Sequence, residues 1–466
     1  MFKKIILPIL FVLILLTLCS CDNSTNKGIL PTKPFEIDNY YQSNMVLSQN
    51  RELSIHGKSE KGVQLTLSLF DSKGNKVKKT STIAGDNDEF VLSFNSPKAS
   101  NSLYKIIIDD SVNSVSFENI LFGYVFLYLG DDSLFMESET TTDNHDANLF
   151  IVNLSDNNFV WQKAEMSNDL ISKAMHGIYH ALNLPIAFIS GSFEDPYVDQ
   201  FLSKESINNY KNIRKYLELI NRNNDNLLPA TKKSSYAYNT LIKRILDVKI
   251  DSIIWQQGYS EVTKFSDIKL TQLSSLYNYC LNHLFTYLNN IFDCNIYTIQ
   301  NGYDDFLDIS NLRILQSNPS FNMSNVILIP TYDCYKEGVI EEEALVNRIS
   351  EMIYTNQFTK LKLHALSLSD VISFNHTITL SFYGTGTLKD VEIFGLEIIN
   401  NNGEKLNFSY NFLETNLEIV IDEEYFDNGE TLNIEIRYGL NEDIYNDNLL
   451  STEDLPVTPF RVSVVL

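Results

Sequence analysis

Five short, continuous apolar runs recur between residues 120 and 364, and they constrain the fold more than any other feature of the chain. They are Tyr124–Leu129, Ile186–Ile189, Ser252–Trp255, Asn295–Ile299 and Val326–Ile329. A run without polar alternation suits a strand covered on both faces, as in a parallel sheet. Helical segments lie between the runs. In 168–182, Leu170, Ile171, Ala174, Met175, Ile178, Ala181 and Leu182 share one face at 3.6-residue periodicity. In 268–288, Leu273, Leu276, Tyr277, Cys280, Leu281, Leu284 and Leu288 do the same. Strand and helix in alternation predict an α/β fold with a doubly wound parallel sheet, whose ligands bind at the carboxyl ends of the strands.

The flanks follow a different grammar. From 35 to 119 the pattern is strand-like: Val63 to Leu69 alternates apolar and polar, and Asp71-Ser72-Lys73-Gly74-Asn75 supplies a turn. From 365 to 466 period-two runs return, as in Thr377 to Phe382 and Leu432 to Ile436. The expected organisation is an N-terminal β domain over 35–119, an α/β domain over 120–364 and a C-terminal β domain over 365–466, both outer domains sandwich-like.

The N-terminus reads as an export signal. Lys3 and Lys4 precede an apolar stretch from Ile5 to Leu18, interrupted by Pro8 and too short for a stable transmembrane helix. Leu18-Cys19-Ser20-Cys21 resembles a bacterial lipobox, which implies removal of residues 1–20 and a lipid on Cys21. An ordinary secretory signal with two incidental cysteines is the alternative. On the lipoprotein reading, residues 21–34 form a polar tether and the partner is the membrane of a bacterial cell envelope, the chain facing periplasm or exterior.

Of the 466 residues, 59 are acidic and 36 basic, a formal charge of −23. Such an acid excess argues against a nucleic-acid partner, because phosphate neutralisation needs clustered Lys and Arg. Besides Cys21, the mature chain keeps Cys280, Cys294 and Cys334, too few for a disulfide scaffold and without metal-ligand spacing. One bridge between two of them stays open; small buried apolar residues are the expectation. No cofactor and no metal are implied.

The first run leads into Gly130-Asp131-Asp132-Ser133-Leu134. A serine at a tight strand-to-helix turn is exposed at the top of such a sheet, so Ser133 is the candidate nucleophile. Helix capping by Asp and Ser accounts for the same residues without chemistry.

Asp132-Ser133-Leu134 resembles the Gly-Asp-Ser-Leu motif of the SGNH hydrolases, with one residue too many after Gly130. More of the chain resembles one branch, the sialate O-acetylesterases, in order and over almost the whole mature length. Asn44-Met45-Val46-Leu47-Ser48 with Gly57, Leu121 to Leu127, Ala181 to Ile186, and Tyr238 to Ile242 carry the likeness. Ile254-Trp255-Gln256-Gln257-Gly258 follows the family's Trp-Tyr-Gln-Gly-Glu block. Arg437-Tyr438, Asn448-Leu449 and Leu455 to Arg461 resemble its closing signature. The resemblance implies an SGNH-hydrolase-like sheet and removal of acetyl groups from sugars by a serine, a histidine base with an acidic partner, and an oxyanion hole. Gly130, Gln257 and Gly258 are the oxyanion or cleft positions it implies.

The site blocks depart from that pattern. Read without a gap, Asp132 stands at the family's serine position and Ser133 one place late. Glu194-Asp195 stands for the glycine pair of the oxyanion loop, and Tyr259 for the glutamate after Gln257-Gly258. The histidine should lie between Asp333 and Arg348, where the chain has none and Gly338 takes its place. Of the remaining histidines, His176 and His180 have i, i+4 spacing but face away from the apolar stripe, which predicts a solvated face. His145 falls on a polar loop soon after Ser133; His56, His283 and His376 fall in β or helical patterns, and His364 beside the last boundary. A carboxylate about 4 Å from an oxyanion opposes it by about 4 kcal/mol, roughly a thousandfold in rate.

Two functional readings emerge: an acetylated-sugar esterase using Ser133 and an unrecognised base, and a non-catalytic relative binding a glycan or protein in the same cleft. A structural lipoprotein working through its β domains is a third.

Overall fold

The computed structural model describes residues 29–136, 148–155, 158–164, 168–264, 270–302, 309–336, 339–426, 431–440 and 447–466. The expected leader over 1–20, Cys21 and the following tether residues to 28, His145 and Gly338 lie outside the described residues. No described helix is long and apolar enough to cross a membrane.

Two compact units are present: one of residues up to Asp38, 54–94 and 105–117, the other of 39–53, 95–104 and 118–466. In the first, Gln64–Phe70 pairs antiparallel with Lys76–Ile83 on one side and with Lys105 to Asp109 on the other. Its alternation works as the sequence requires: Leu65, Leu67 and Leu69 are fully buried and Gln64 is exposed.

The second unit is built on a mostly parallel sheet. Its strands are β1 (Ser114–Asp131, from Glu118 onward), β2 (Leu149–Ser155), β3 (Asn158–Lys163), β4 (Ile186–Phe193), β5 (Ser252–Gln256), β6 (Asn295–Ile299) and β7 (Val326–Ile329). They lie in the order β3-β2-β4-β1-β5-β6-β7. All five apolar runs are strands of this sheet and pair in parallel. They are buried almost throughout, which is why the code is a continuous run. The β2–β3 hairpin adds a parallel neighbour to β4 and an antiparallel edge.

Helix α1 (Leu170–Leu182) starts at Asp169, whose carboxylate accepts the Ser172 N–H at 2.8 Å, and ends at Asn183 in the left-handed region, φ +50°. Leu170, Ile171, Ala174, Met175 and Ile178 are buried, as the periodicity predicts. Further on come α2 (Tyr236–Thr240), α3 (Tyr259–Val262), α4 (Leu270–Phe292), α5 (Ser310–Asn322) and α6 (Glu342–Phe358).

The Val46–Ser48 strand pairs in parallel with Leu121 to Gly123 of β1. Ser48 donates to the buried Asp251 carboxylate at 3.0 Å, and Val125 N–H donates to it at 2.8 Å. The Asn44–Ser48 motif is thus a fastening at the amino end of the sheet. Beyond α6, Ser367–Phe374, Thr377–Tyr383, Asn416–Ile421 and Phe408–Leu413 form one antiparallel sheet. Leu396–Asn400, Asn433–Tyr438 and Phe460–Val465 form another. Tyr332, just after β7, belongs to their apolar core: its hydroxyl donates to Val457 O at 2.8 Å and lies 3.2 Å from that of Tyr438.

Candidate functional site

β1 runs into the site through Gly130, whose backbone pairs with Gln256 of β5. A Cβ there would lie 1.8 Å from Gln256 O, so the approach of the two strands requires glycine. Asp131 follows, only 4% exposed. The Tyr128 hydroxyl donates to Asp131 O at 2.8 Å, pinning the bend. Oδ1 of Asp131 accepts both the Ser133 N–H, at 3.1 Å, and the Ser133 hydroxyl, at 2.5 Å. Oδ2 has no partner among the described residues. Burial pushes this carboxyl up to about 6; the Ser133 bonds oppose the rise, and the charges of Asp132 and Asp195 add to it. Asp132 itself is exposed and stands before a single 3-10 turn, Ser133–Phe135, without a capping bond from its side chain.

Ser133 stands on the wall of a cavity of about 770 Å³ formed where four strands end. Ser133, Leu134 and Met136 come from beyond β1, Asp195 and Tyr197 from beyond β4, Tyr259 and Ser260 from α3 after β5, and Tyr335 and Ile340 from beyond β7. The segment from Ile220 to Lys232 closes the side with Arg222 and Lys232.

The charges in the wall are largely committed. Arg222 makes a two-point bond to the fully buried Asp199, 2.9 and 3.0 Å, and its guanidinium lies 4.3 Å from the Tyr197 ring centre. The Lys232 ammonium donates to Glu194 O at 2.5 Å. Asp195, in the left-handed region at φ +38°, is exposed, as is Glu194. The glycine-rich oxyanion loop implied by the resemblance is here an acidic turn at the cavity rim.

Gln257 and Gly258 are buried behind the wall and do not line the cavity. Gln257 donates to Pro196 O at 2.8 Å and to Glu261. Glu261, fully buried, also accepts the Val198 N–H at 2.8 Å and the Tyr216 hydroxyl at 2.7 Å. Burial pushes the Glu261 carboxyl up to about 7 against those bonds. Tyr259 faces the cavity, and the carboxylate sits two residues later. That glutamate is visible in the string Tyr259-Ser260-Glu261, whereas Asp199 and Arg222 carry no local motif.

The stretch from Asp333 to Arg348 is occupied by structure of another kind. Arg348 grips Asp333 with two bonds, 3.1 and 2.8 Å. Tyr335–Lys336 pairs with Val339–Ile340, which turns Tyr335 and Ile340 to the cavity. No described histidine lines the cavity. His176 corrects the expectation of a solvated face: it is 2% exposed, beside the buried Ser172 and Lys173, while His180 is exposed. Helix α1 is enclosed over more of its circumference than one apolar stripe. His283 bonds to Ser206 Oγ at 3.0 Å, and His376 stacks on Phe426 with ring centres 3.9 Å apart. Cys280 and Cys334 are buried free thiols and Cys294 is a half-buried one; no group of metal ligands occurs among the described residues.

A carbohydrate acetylesterase from Xanthomonas citri superposes with a TM-score of 0.71 at 12% identity, over 92% of this chain and 99% of that one. The chain has a carbohydrate-esterase-like fold. A protein from Arabidopsis thaliana (12% identity, 50% of this chain and 99% of that one, TM-score 0.35) is much more distant. So is a family two carbohydrate esterase from Cellvibrio japonicus (10%, 70% and 96%, TM-score 0.26). No protein-family model and no curated protein matches the sequence.

Proposed function

We propose that this chain is a carbohydrate-binding protein on the acetylesterase fold, whose cleft takes an uncharged acetylated sugar and in which ester hydrolysis is impaired. One observation carries the reading: the hydroxyl and the N–H of Ser133 both go to the same oxygen of Asp131. The N–H is then not free to stabilise an oxyanion, and loss of one such donor costs about 10²–10³ in rate. Asp131, Asp132 and Asp195 surround the position with negative charge, which opposes a developing oxyanion and an anionic sugar such as sialic acid alike. Tyr197, Tyr259 and Tyr335 give the cavity ring faces and hydroxyls suited to a sugar. The likeness to an acetylesterase supports the sugar class at the level of fold.

A second reading rests on the 2.5 Å bond between Ser133 and Asp131. A carboxylate whose value has risen to about 6 is a competent base near neutrality, which makes Ser133 a slow nucleophile. The export signal and Leu18-Cys19-Ser20-Cys21 support a third element of the proposal, anchorage in a bacterial envelope through a lipid on Cys21.

The test is an assay of the purified chain, Ser133→Ala and Asp131→Asn on an aryl acetate, an O-acetylated xylose and O-acetylated sialic acid, with calorimetric titration of each sugar. The expected result is saturable binding of the neutral sugar with turnover at background in all three proteins. Turnover lost in Ser133→Ala establishes the second reading instead, and absence of sugar binding removes the first.

A further inference from the structure

The ladder between β2 and β4 stops early. It runs from Leu149 opposite Ile186 to Val152 opposite Ile189, and no further. On its other side β4 stays paired with β1 up to Phe193 opposite Asp131. Beyond Ile189 the two carboxyl ends of β2 and β4 therefore part, and a cavity of about 560 Å³ opens between them. That volume is within the usual range for a small-molecule site, about 300–1,000 Å³, and the cavity lies at the carboxyl ends of strands, the side on which open α/β sheets receive ligands.

Its chemistry differs from that of the larger cavity. Asn153 comes from β2, Ser190, Ser192 and Phe193 from β4, and Tyr236 and Thr240 from α2. None of the residues lining it is charged, in a chain of net charge −23. Gly191 forms part of the lining; a Cβ there would meet Tyr128 O of β1 at 2.4 Å, so the close approach of β1 requires a glycine, and Leu241 Cδ2 packs into the space it leaves. The Ser190 and Ser192 hydroxyls lie on one side of β4, 3.4 Å apart. Phe193 and Tyr236 are half-buried and meet edge to face, ring centres 6.0 Å apart. Hydroxyl, amide and aromatic groups lining one cavity without charge fit a neutral pyranose, whose hydroxyls need both donors and acceptors and whose C–H face packs on an aromatic ring.

Residues at the end of β4 line both cavities. Phe193 lines the smaller and Asp195 the larger, two residues apart and hence within about 7 Å along the chain. We infer that the Asn153–Ser192–Tyr236 cavity is a second sugar subsite, so that the ligand is an oligosaccharide lying across the end of β4 with a neutral residue in the smaller cavity. This rests on the carbohydrate reading of the larger cavity and specifies its ligand as a chain of at least two residues.

The experiment is calorimetric titration of the full chain with a mono-O-acetylated xylose and a mono-O-acetylated xylotetraose. The tetrasaccharide binds at least tenfold more tightly. Asn153→Ala/Ser192→Ala, checked for an unchanged melting temperature, loses that advantage and keeps the monosaccharide affinity. Tyr236→Phe, which keeps the ring, retains most of the advantage. Equal affinity of the two sugars for the unmodified chain overturns the subsite, as does an equal loss for both in the double variant. Failure of both sugars to bind overturns the underlying carbohydrate reading, and the subsite with it.

Discussion

The Ser133 hydroxyl rests 2.5 Å from Oδ1 of Asp131, a carboxylate sealed beneath the cavity wall with its other oxygen unpartnered among the described residues. The cost of that burial appears as a pH dependence. Asp131 titrates at about 6 in the folded chain, above the ordinary carboxylate value, so the folded state binds this proton more tightly than the unfolded state. The stability it contributes is complete below about pH 4 and is lost as pH rises through 6. Asp131→Asn keeps the Oδ1 acceptor and removes the charge. Urea titrations at pH 4, 5, 6 and 7.5 should show the variant gaining on the parent by up to about 3 kcal/mol across that range. Parallel stability curves would count against a buried ionisable Asp131.

Glu261 follows the same sign in a higher window. Its value of about 7 means that stability falls as pH rises from about 4.5 through 7. Glu261→Leu strands the Val198 N–H, the Tyr216 hydroxyl and the Gln257 amide, and should cost about 3 kcal/mol or more. Glu261→Gln should cost less and flatten the pH profile. Denaturation followed by circular dichroism at pH 5 and pH 7.5 separates the two effects.

The sheet was legible because burial on both faces forces continuous apolar runs, and β6 and β7 match theirs residue for residue. The β2–β3 hairpin was not, since Leu149 to Ser155 carries Asn153 near its end and resembles neither an alternating strand nor a wholly buried one. The motif strings were legible as strings, and their work was hidden. Ser48 matters through Asp251, 203 residues away, and no local pattern encodes that bond. Its position after the first apolar run marks Ser133. Nothing local marks its partner Asp131, because what distinguishes it from Asp132 is burial, set by strands that converge from elsewhere in the chain.

Tyr332 and Tyr438 join the parallel-sheet region to the C-terminal sheets, which gives the closing signature a physical role. Tyr332→Phe removes the donor to Val457 O and leaves that carbonyl buried without it, at a cost of about 1–2 kcal/mol. Tyr438→Phe removes the acceptor of the Leu449 N–H, 2.8 Å away, with a similar cost. The hydroxyls touch, so the double variant should lose about 0.5 kcal/mol or more less than the sum of the single losses. Strict additivity in urea unfolding would show that the hydroxyls act separately.

The proposed anchor has a direct readout. Expressed in a bacterial host and fed a palmitate analogue, the parent chain should take up label and Cys21→Ala should not, with Cys19→Ala labelled as the parent is. Equal labelling of Cys21→Ala would leave an ordinary secretory signal as the better account.

The buried pair of Arg222 and Asp199 ties the side wall of the larger cavity to the protein behind it. Both groups are desolvated, 6% and 0% exposed, and the guanidinium also donates to Lys232 O at 2.6 Å while lying over Tyr197. Removing one partner leaves the other charged and unpaired, so Asp199→Leu alone should cost about 3–5 kcal/mol. Arg222→Met with Asp199→Leu removes both charges in similar volume and should recover much of that loss. The recovered protein still lacks the guanidinium that holds Tyr197 and the Lys232 backbone in place. It should therefore bind the acetylated sugar at least tenfold more weakly than the parent at comparable stability, by the same calorimetric titration. Parental affinity in the double variant would place the pair in folding alone and move sugar recognition to Tyr259 and Tyr335, which also line the cavity.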